Sequence, residues 1–265
     1  TTEQVSSRLK GDPNTNVKVT IENLVDGERR TLNIKRERIA IPGIAYSGML
    51  NDSIGYVRHA DFTDGCYDEM RNAVEQLRAD GNLKGLVLDY RNNGGGILQE
   101  AVKIVSLFTP KGTEVVSTKG RVESENKTFR TELEPLLPEI PIVVLVNGNT
   151  ASSSEIVAGA LQDIDRAVVM GQKSFGKGLV QSSRPLGYDA YVKMTTAKYY
   201  IPSGRCIQNV DYSEHGSEAR VVADSLIREF KTRNGRKVYD GGGIMPDVSL
   251  DTQFISRFAL TLYAL

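Results

Sequence analysis

Histidine and cysteine are scarce in this chain of 265 residues, at two each, and tryptophan is absent. Cys66 and Cys206 are too few and too far apart to build a disulfide framework or a zinc site. His59 and His215 have no second ligand at metal-binding spacing, so no metal is expected and both read as structural or solvent exposed. The same scarcity leaves a Ser-His-Asp arrangement few candidates for its base. Neither sign of charge is in excess. With 33 Lys and Arg against 33 Asp and Glu, there is no reason to expect nucleic acid or an anionic membrane surface as a partner. Long apolar runs are missing too: the longest, Ile142-Val143-Val144-Leu145-Val146, is far short of the roughly 20 residues that cross a bilayer. No signal peptide opens the chain. Thr1 is not an initiator methionine and leads directly into a helical pattern. The chain is therefore expected to be an internal fragment, with any targeting or membrane-anchoring segment left out of it.

What is present is enough length, and 40% apolar residues, to bury a sizeable core. Cys66, Met70, Val74 and Leu77 form an apolar stripe on a helix predicted from about Asp64 to Ala79, so core packing is the plain reading of Cys66. A short helix is predicted from Thr1 to before Gly11, followed by strands Val17–Ile21 and Thr31–Ile34 around the turn Asp26-Gly27. From there strands Ile54–Val57, Gly85–Asp89, Glu114–Thr118, Ile142–Val146 and Ala167–Met170 interleave with helices Ile97–Phe108 and Ser152–Leu161. That alternation predicts an α/β domain with helices packed on a sheet. The run from Tyr188 to Tyr200 reads as strand, and Glu218–Thr232 and Thr252–Leu262 carry helical spacing.

Ser152-Ser153-Ser154-Glu155 follows Asn147-Gly148-Asn149-Thr150-Ala151 and opens an apolar helix. In the plain reading Ser152 and Glu155 form a capping box. In the functional reading a serine hydroxyl at this strand-to-helix turn attacks a carbonyl, and the helix N–H groups point at the charge that develops. Ser152, Ser153 and Ser154 are all candidates on that ground. Lys177 lies 25 residues beyond Ser152, between Gly176 and Gly178. A solvated lysine stays protonated, but burial among Phe175, Leu179 and Val180 would lower its pKa and make it a base. Val87-Leu88-Asp89 runs into Arg91-Asn92-Asn93-Gly94-Gly95-Gly96 and then a helix, which is either a tight turn or a row of N–H groups aimed at an anion. Gly171 to Lys177 has P-loop spacing, but Gly178 stands where magnesium needs Ser or Thr, and Leu179 to Ser183 looks extended. No nucleotide is expected.

Leu88–Gly96 and Gly148–Gln181, with Tyr199–Gln208 and Gly243–Val248, occur in one order over about 200 residues and resemble the C-terminal processing proteases, also called tail-specific proteases. The resemblance implies an α/β catalytic domain with the Clp-peptidase/crotonase-like fold over residues 41–265, preceded by the last helix and strands of a PDZ domain over 1–40. It implies a serine endopeptidase cutting unfolded or C-terminal segments of protein or peptide substrates through an acyl-enzyme. Ser152 would be the nucleophile, Lys177 and not Lys173 the base, and Gln181 the residue orienting that lysine. The oxyanion hole would use the amide of Gly95 or Gly96 together with that of Ser153. Gly94 stands where the family commonly has proline, which leaves the choice of glycine open. No cofactor, metal or nucleotide is implied, and the family usually works in the periplasm or at the cell envelope. The alternative is a catalytically idle scaffold that binds peptides by strand addition, with Ser152 only a cap.

Overall fold

A computed structural model describes residues 1–39, 41–79, 81–188, 190–211, 220–221 and 224–251. The chain divides into two compact units, Thr1–Ile41 and Pro42–Leu265. In the first, α1 (Thr2–Leu9) is capped by Thr1, and β1 (Asn16–Glu22) pairs antiparallel with β2 (Arg29–Lys35), as the sequence predicts. The Arg36 guanidinium ties helix to hairpin, donating to the Leu9 and Arg8 carbonyls at 2.8 and 3.1 Å and to Thr15 Oγ1 at 3.1 Å.

The second unit runs β3 (Ile44–Met49), β4 (Ile54–His59), α2 (Cys66–Ala79), β5 (Gly85–Asp89), α3 (Leu98–Ser106), β6 (Glu114–Gly120), β7 (Lys127–Arg130), β8 (Ile142–Val146), α4 (Ser153–Asp163) and β9 (Val168–Gly171). It continues through β10 (Leu179–Gly187), β11 (Ala190–Tyr200), β12 (Val210–Asp211), β13 (Arg220–Val221), β14 (Glu229–Lys231), β15 (Lys237–Tyr239) and β16 (Val248–Ser249). One sheet has the order β16-β9-β8-β5-β4-β3, parallel except where β3 meets β4. The other, β10-β11-β6-β7, is antiparallel. The α/β class is therefore as expected. Cys66, Met70, Val74 and Leu77 are buried on α2, and β8, and β5 up to its last residue Asp89, are apolar because both faces of a central parallel strand are covered.

Two expectations fare differently near the end of the chain. His215 and Thr252–Leu262 lie outside the described residues. Within Glu218–Thr232 the described part holds strand β13, a 3₁₀ turn at Asp224–Leu226 and strand β14, and no α-helix. The cause is Asn234-Gly235: an Asn-Gly pair with Gly235 at φ +86° folds β14 onto β15, and that pairing overrides the helical spacing before it.

Every residue of α4 is buried, which suits a helix apolar on all sides and leaves its polar ends to be satisfied within the protein. At its C-terminal end Asp163 accepts from Arg205 at 2.9 Å and from the Ser203 N–H at 2.9 Å. Gln162 Oε1 accepts from the same guanidinium at 2.7 Å, and Arg205 is wholly buried. Removing one partner of such a pair strands the other charge, so Arg205→Met is expected to cost about 3–5 kcal/mol. Equilibrium urea unfolding measures this, and a loss below about 1 kcal/mol would show that water reaches Asp163.

Candidate active site

The turn before α4 separates the three adjacent serines. Ser153 and Ser154 are buried, and their hydroxyls donate to the Gly96 carbonyl at 2.9 Å and the Asn93 carbonyl at 3.1 Å. Ser152 is half-buried, and its Oγ faces the Glu155 N–H without a hydrogen bond of full geometry. Its backbone lies at φ +57°, ψ −119°, a region that strains a residue with a Cβ by about 1–3 kcal/mol. Two bonds hold it there. The Ser152 N–H donates to Glu155 Oε2 at 2.9 Å, and the Ala151 N–H donates to the Asn93 carbonyl at 3.0 Å.

Gly95 packs directly against this turn. A Cβ on it, at φ +90°, would lie 2.7 Å from the Ala151 carbonyl and from Ser152 Cβ, and 2.8 Å from the Ser153 nitrogen, so only glycine fits. The Gly95 N–H is already spent on Asn93 Oδ1 at 2.9 Å. Among the described residues no acceptor takes the N–H of Gly96 or of Ser153. Asn93 is buried and fixed in turn, its Nδ2 donating to the His59 carbonyl at 2.8 Å. His59 is buried against Phe62 and Tyr90, and burial pushes its imidazole down to about 4, so it is a neutral structural residue.

The loop is also pinned by Asp89. Its carboxylate accepts from the Tyr56 hydroxyl at 2.6 Å, the Arg91 N–H at 2.9 Å and the Arg91 guanidinium at 2.6 Å. Burial alone would raise the Asp89 carboxyl, but the bonds from Arg91 and Tyr56 hold it below its ordinary value.

Lys177 enters the site through its backbone. Glu155, with no exposed surface, takes the Lys177 N–H at 2.8 Å on Oε2 and the Gly176 N–H at 2.7 Å and Ser174 hydroxyl at 2.6 Å on Oε1. Burial pushes this carboxyl up, and its four hydrogen bonds pull the other way. The Lys177 side chain is exposed and, among the described residues, without a hydrogen-bond or ion-pair partner, and Phe175 is 54% exposed. The burial expected around Lys177 is thus not found, because Glu155 draws in the peptide N–H groups while leaving the side chain to solvent. Gln181, also exposed, sits at a bulge in β10 opposite Thr195 and makes no bond to Lys177. After Gly178 the chain enters strand β10, as its sequence predicts. The structure thus brings Ser152, Ser153, Gly95, Gly96 and the Lys177 backbone together, and forms no hydrogen bond from the Lys177 or Gln181 side chain to Ser152. Sequence reasoning found Glu155 only as a cap, and missed Asn93 and Asp89. The S-x-x-E spacing was the one signal for the first.

The family model for peptidase family S41 matches residues 53–215. The chain belongs to this family. It is 38% identical over 213 residues to the carboxy-terminal-processing protease of Bartonella bacilliformis, covering 79% of this chain and 48% of that protein. It is 37% identical over 205 residues to the carboxyl-terminal-processing protease of a Synechocystis strain, covering 76% and 47%. The chain therefore spans about half the length of the curated relatives it matches. Among solved structures, a photosystem II D1 C-terminal processing protease superposes with a TM-score of 0.59 at 27% identity, covering 95% of this chain and 59% of that one.

Because the folded value of Asp89 lies below the ordinary 3.8, its contribution to stability is present above about pH 3.8 and is lost as pH falls through the depressed value. Asp89→Asn is expected to flatten the acid limb of stability. It should also cost about 1 kcal/mol at pH 6, a small figure because the Arg91 side chain is 51% exposed. Urea midpoints between pH 6 and pH 2.5 measure both effects. An unchanged acid limb would remove Asp89 as the group that pins the loop.

Proposed function

We propose that this chain carries the catalytic part of a serine endopeptidase that cuts unfolded or C-terminal segments of proteins. The observation that carries the reading is the sorting of the serines: of the three, Ser153 and Ser154 are buried with their hydroxyls bonded to carbonyls, while Ser152 is half-buried on a strained helix start, beside Gly96 and Ser153 amides that have no acceptor among the described residues. Ser152 Oγ forms a bond to the scissile carbonyl carbon as its proton passes to Lys177 Nζ. The carbonyl oxygen becomes an oxyanion held by the Gly96 and Ser153 amides, and the engaged Gly95 amide favours Gly96 for this part. Collapse breaks the C–N bond, and the leaving amine takes the proton from Lys177. Water then attacks the Ser152 ester, giving up a proton to Lys177 Nζ, which returns it to Ser152 Oγ as the C–O bond breaks and the acid is released. A substrate chain lying over the exposed Lys177 removes the water around it and favours the neutral amine that this step needs. Gln181 orients the lysine in that covered state. The steps call for no metal or nucleotide.

Residues 1–40 are read here as the end of a peptide-binding PDZ module and residues 41–265 as the catalytic domain. A periplasmic or envelope location, with anchoring by a segment outside this chain, is part of the same reading. The exposed, unpaired Lys177 favours one other reading, a peptide-binding scaffold in which Ser152 only caps α4.

Labelling with a fluorophosphonate separates the two. Ser152→Ala is expected to abolish both labelling and cleavage of an unfolded protein. Lys177→Ala should lower cleavage by about 10⁴-fold or more, with the double variant no worse than Ser152→Ala, because nucleophile and base act as one unit. Labelling that persists in Ser152→Ala, or its absence in the unaltered chain, would favour the scaffold.

A further inference from the structure

At the opposite end of α4 from Ser152, a cavity of about 580 Å³ opens between the start of β6, the end of β7, the last turn of α4 and the β14–β15 hairpin. The 11 residues of α4 separate the two places by about 16 Å. The volume suits a small molecule, but the lining is mainly polar, and four cations reach it from three segments: Lys111 before β6, Arg130 on β7, and Lys231 and Arg233 on the β14–β15 hairpin. Arg130 is neutralised by Glu114 at 2.7 Å. Among the described residues, Lys111, Lys231 and Arg233 find no side-chain hydrogen-bond or ion-pair partner.

The carboxylates nearby are already taken. Asp163 pairs with Arg205 at 2.9 Å, Glu229 with Lys237 at 2.9 Å and Asp165 with Arg236 at 2.6 Å. In a chain whose formal charges cancel, three uncompensated cations around one cavity are a local excess that bulk composition hides. The carbonyl end of α4 would oppose an anion, but its last carbonyls are occupied. Leu161 accepts from the Arg166 and Ala167 N–H groups, Gln162 from Asp165 and the Arg236 guanidinium, and Asp163 from the Arg233 N–H at 2.7 Å. The frame is fixed by bonds from the Ser203 N–H to Asp163 Oδ2 and from the Thr113 N–H to Thr131 Oγ1, both at 2.9 Å.

We propose that this cavity binds a small, multiply charged anion bearing carboxylate or phosphate oxygens, at a site separate from Ser152. The proposal does not depend on the peptidase reading. Three separate cations match a ligand with two or three charges spread over several oxygens better than a single carboxylate. The absence of a sizeable apolar wall argues against a hydrophobic ligand.

The test is calorimetric titration of the whole chain with pyrophosphate and, separately, with citrate at low salt. At least one probe is expected to bind one-to-one with a Kd below about 1 mM, weakening as salt is added. Binding of pyrophosphate alone assigns phosphate, citrate alone assigns carboxylate, and both assign the shared chemistry. The triple variant Lys111→Gln, Lys231→Gln, Arg233→Gln should lose at least about tenfold in affinity while keeping its Tm, because all three side chains are exposed. Removing three other exposed cations, by Lys84→Gln, Arg121→Gln and Lys193→Gln, should change affinity less than about twofold. A Kd weaker than about 1 mM for both probes, or equal losses in the two triple variants, would overturn the site.

Discussion

A carboxylate with no exposed surface must find its donors within the protein, and Glu155 finds four. Two lie on each oxygen, and three are backbone N–H groups. One comes from the start of α4 and two from the segment Gly176-Lys177, so a single buried group couples the nucleophile candidate to the lysine segment. Magnitudes explain why the strain at Ser152 persists: about 1–3 kcal/mol of backbone strain is smaller than the several kcal/mol of leaving a buried charge without its bonds. The loop bearing Gly95 and Gly96 is then placed by contact with the same turn and by Asn93, whose amide and carbonyl both serve it.

The second constraint is the burial of α4 on every face. A helix so enclosed can meet ligands only at its ends, and its two ends differ in chemistry. At the N-terminal end, among the described residues, the Ser153 N–H has no acceptor, which suits an anion there. At the C-terminal end the last carbonyls are capped, and Asp163, held by Arg205, lines a cavity that Lys111, Lys231 and Arg233 also line. The distance between them allows an occupant of one without steric interference at the other.

Much of this arrangement could be read from local pattern. Strand β5, the turn to α3, the run β8 to α4 and the lysine segment all carry short-range signals: apolar strands, glycines at special φ and the S-x-x-E spacing. What could not be read depends on burial and long-range contact. The S-x-x-E pattern announces one bond to Glu155, whereas the others come from residues 19 to 22 positions away. The apolar neighbours of Lys177 suggested burial, but Phe175 is itself half exposed, and a sequence does not say which side of a pinned backbone faces solvent. Asn234-Gly235 is a short-range hairpin signal, and the pairing of β14 with β15 that it permits outweighs the helical spacing before it.

The coupling through Glu155 can be tested most directly with Glu155→Gln, which keeps the shape and replaces one acceptor oxygen by a donor. The quantity to measure is the rate of fluorophosphonate labelling at Ser152, in protein whose circular dichroism shows it still folded. A fall of at least about 100-fold is expected, because displacing the turn or the lysine segment by an ångström is enough to cost that much. Labelling within about threefold of the unaltered chain would contradict the claim that this carboxylate holds the site together.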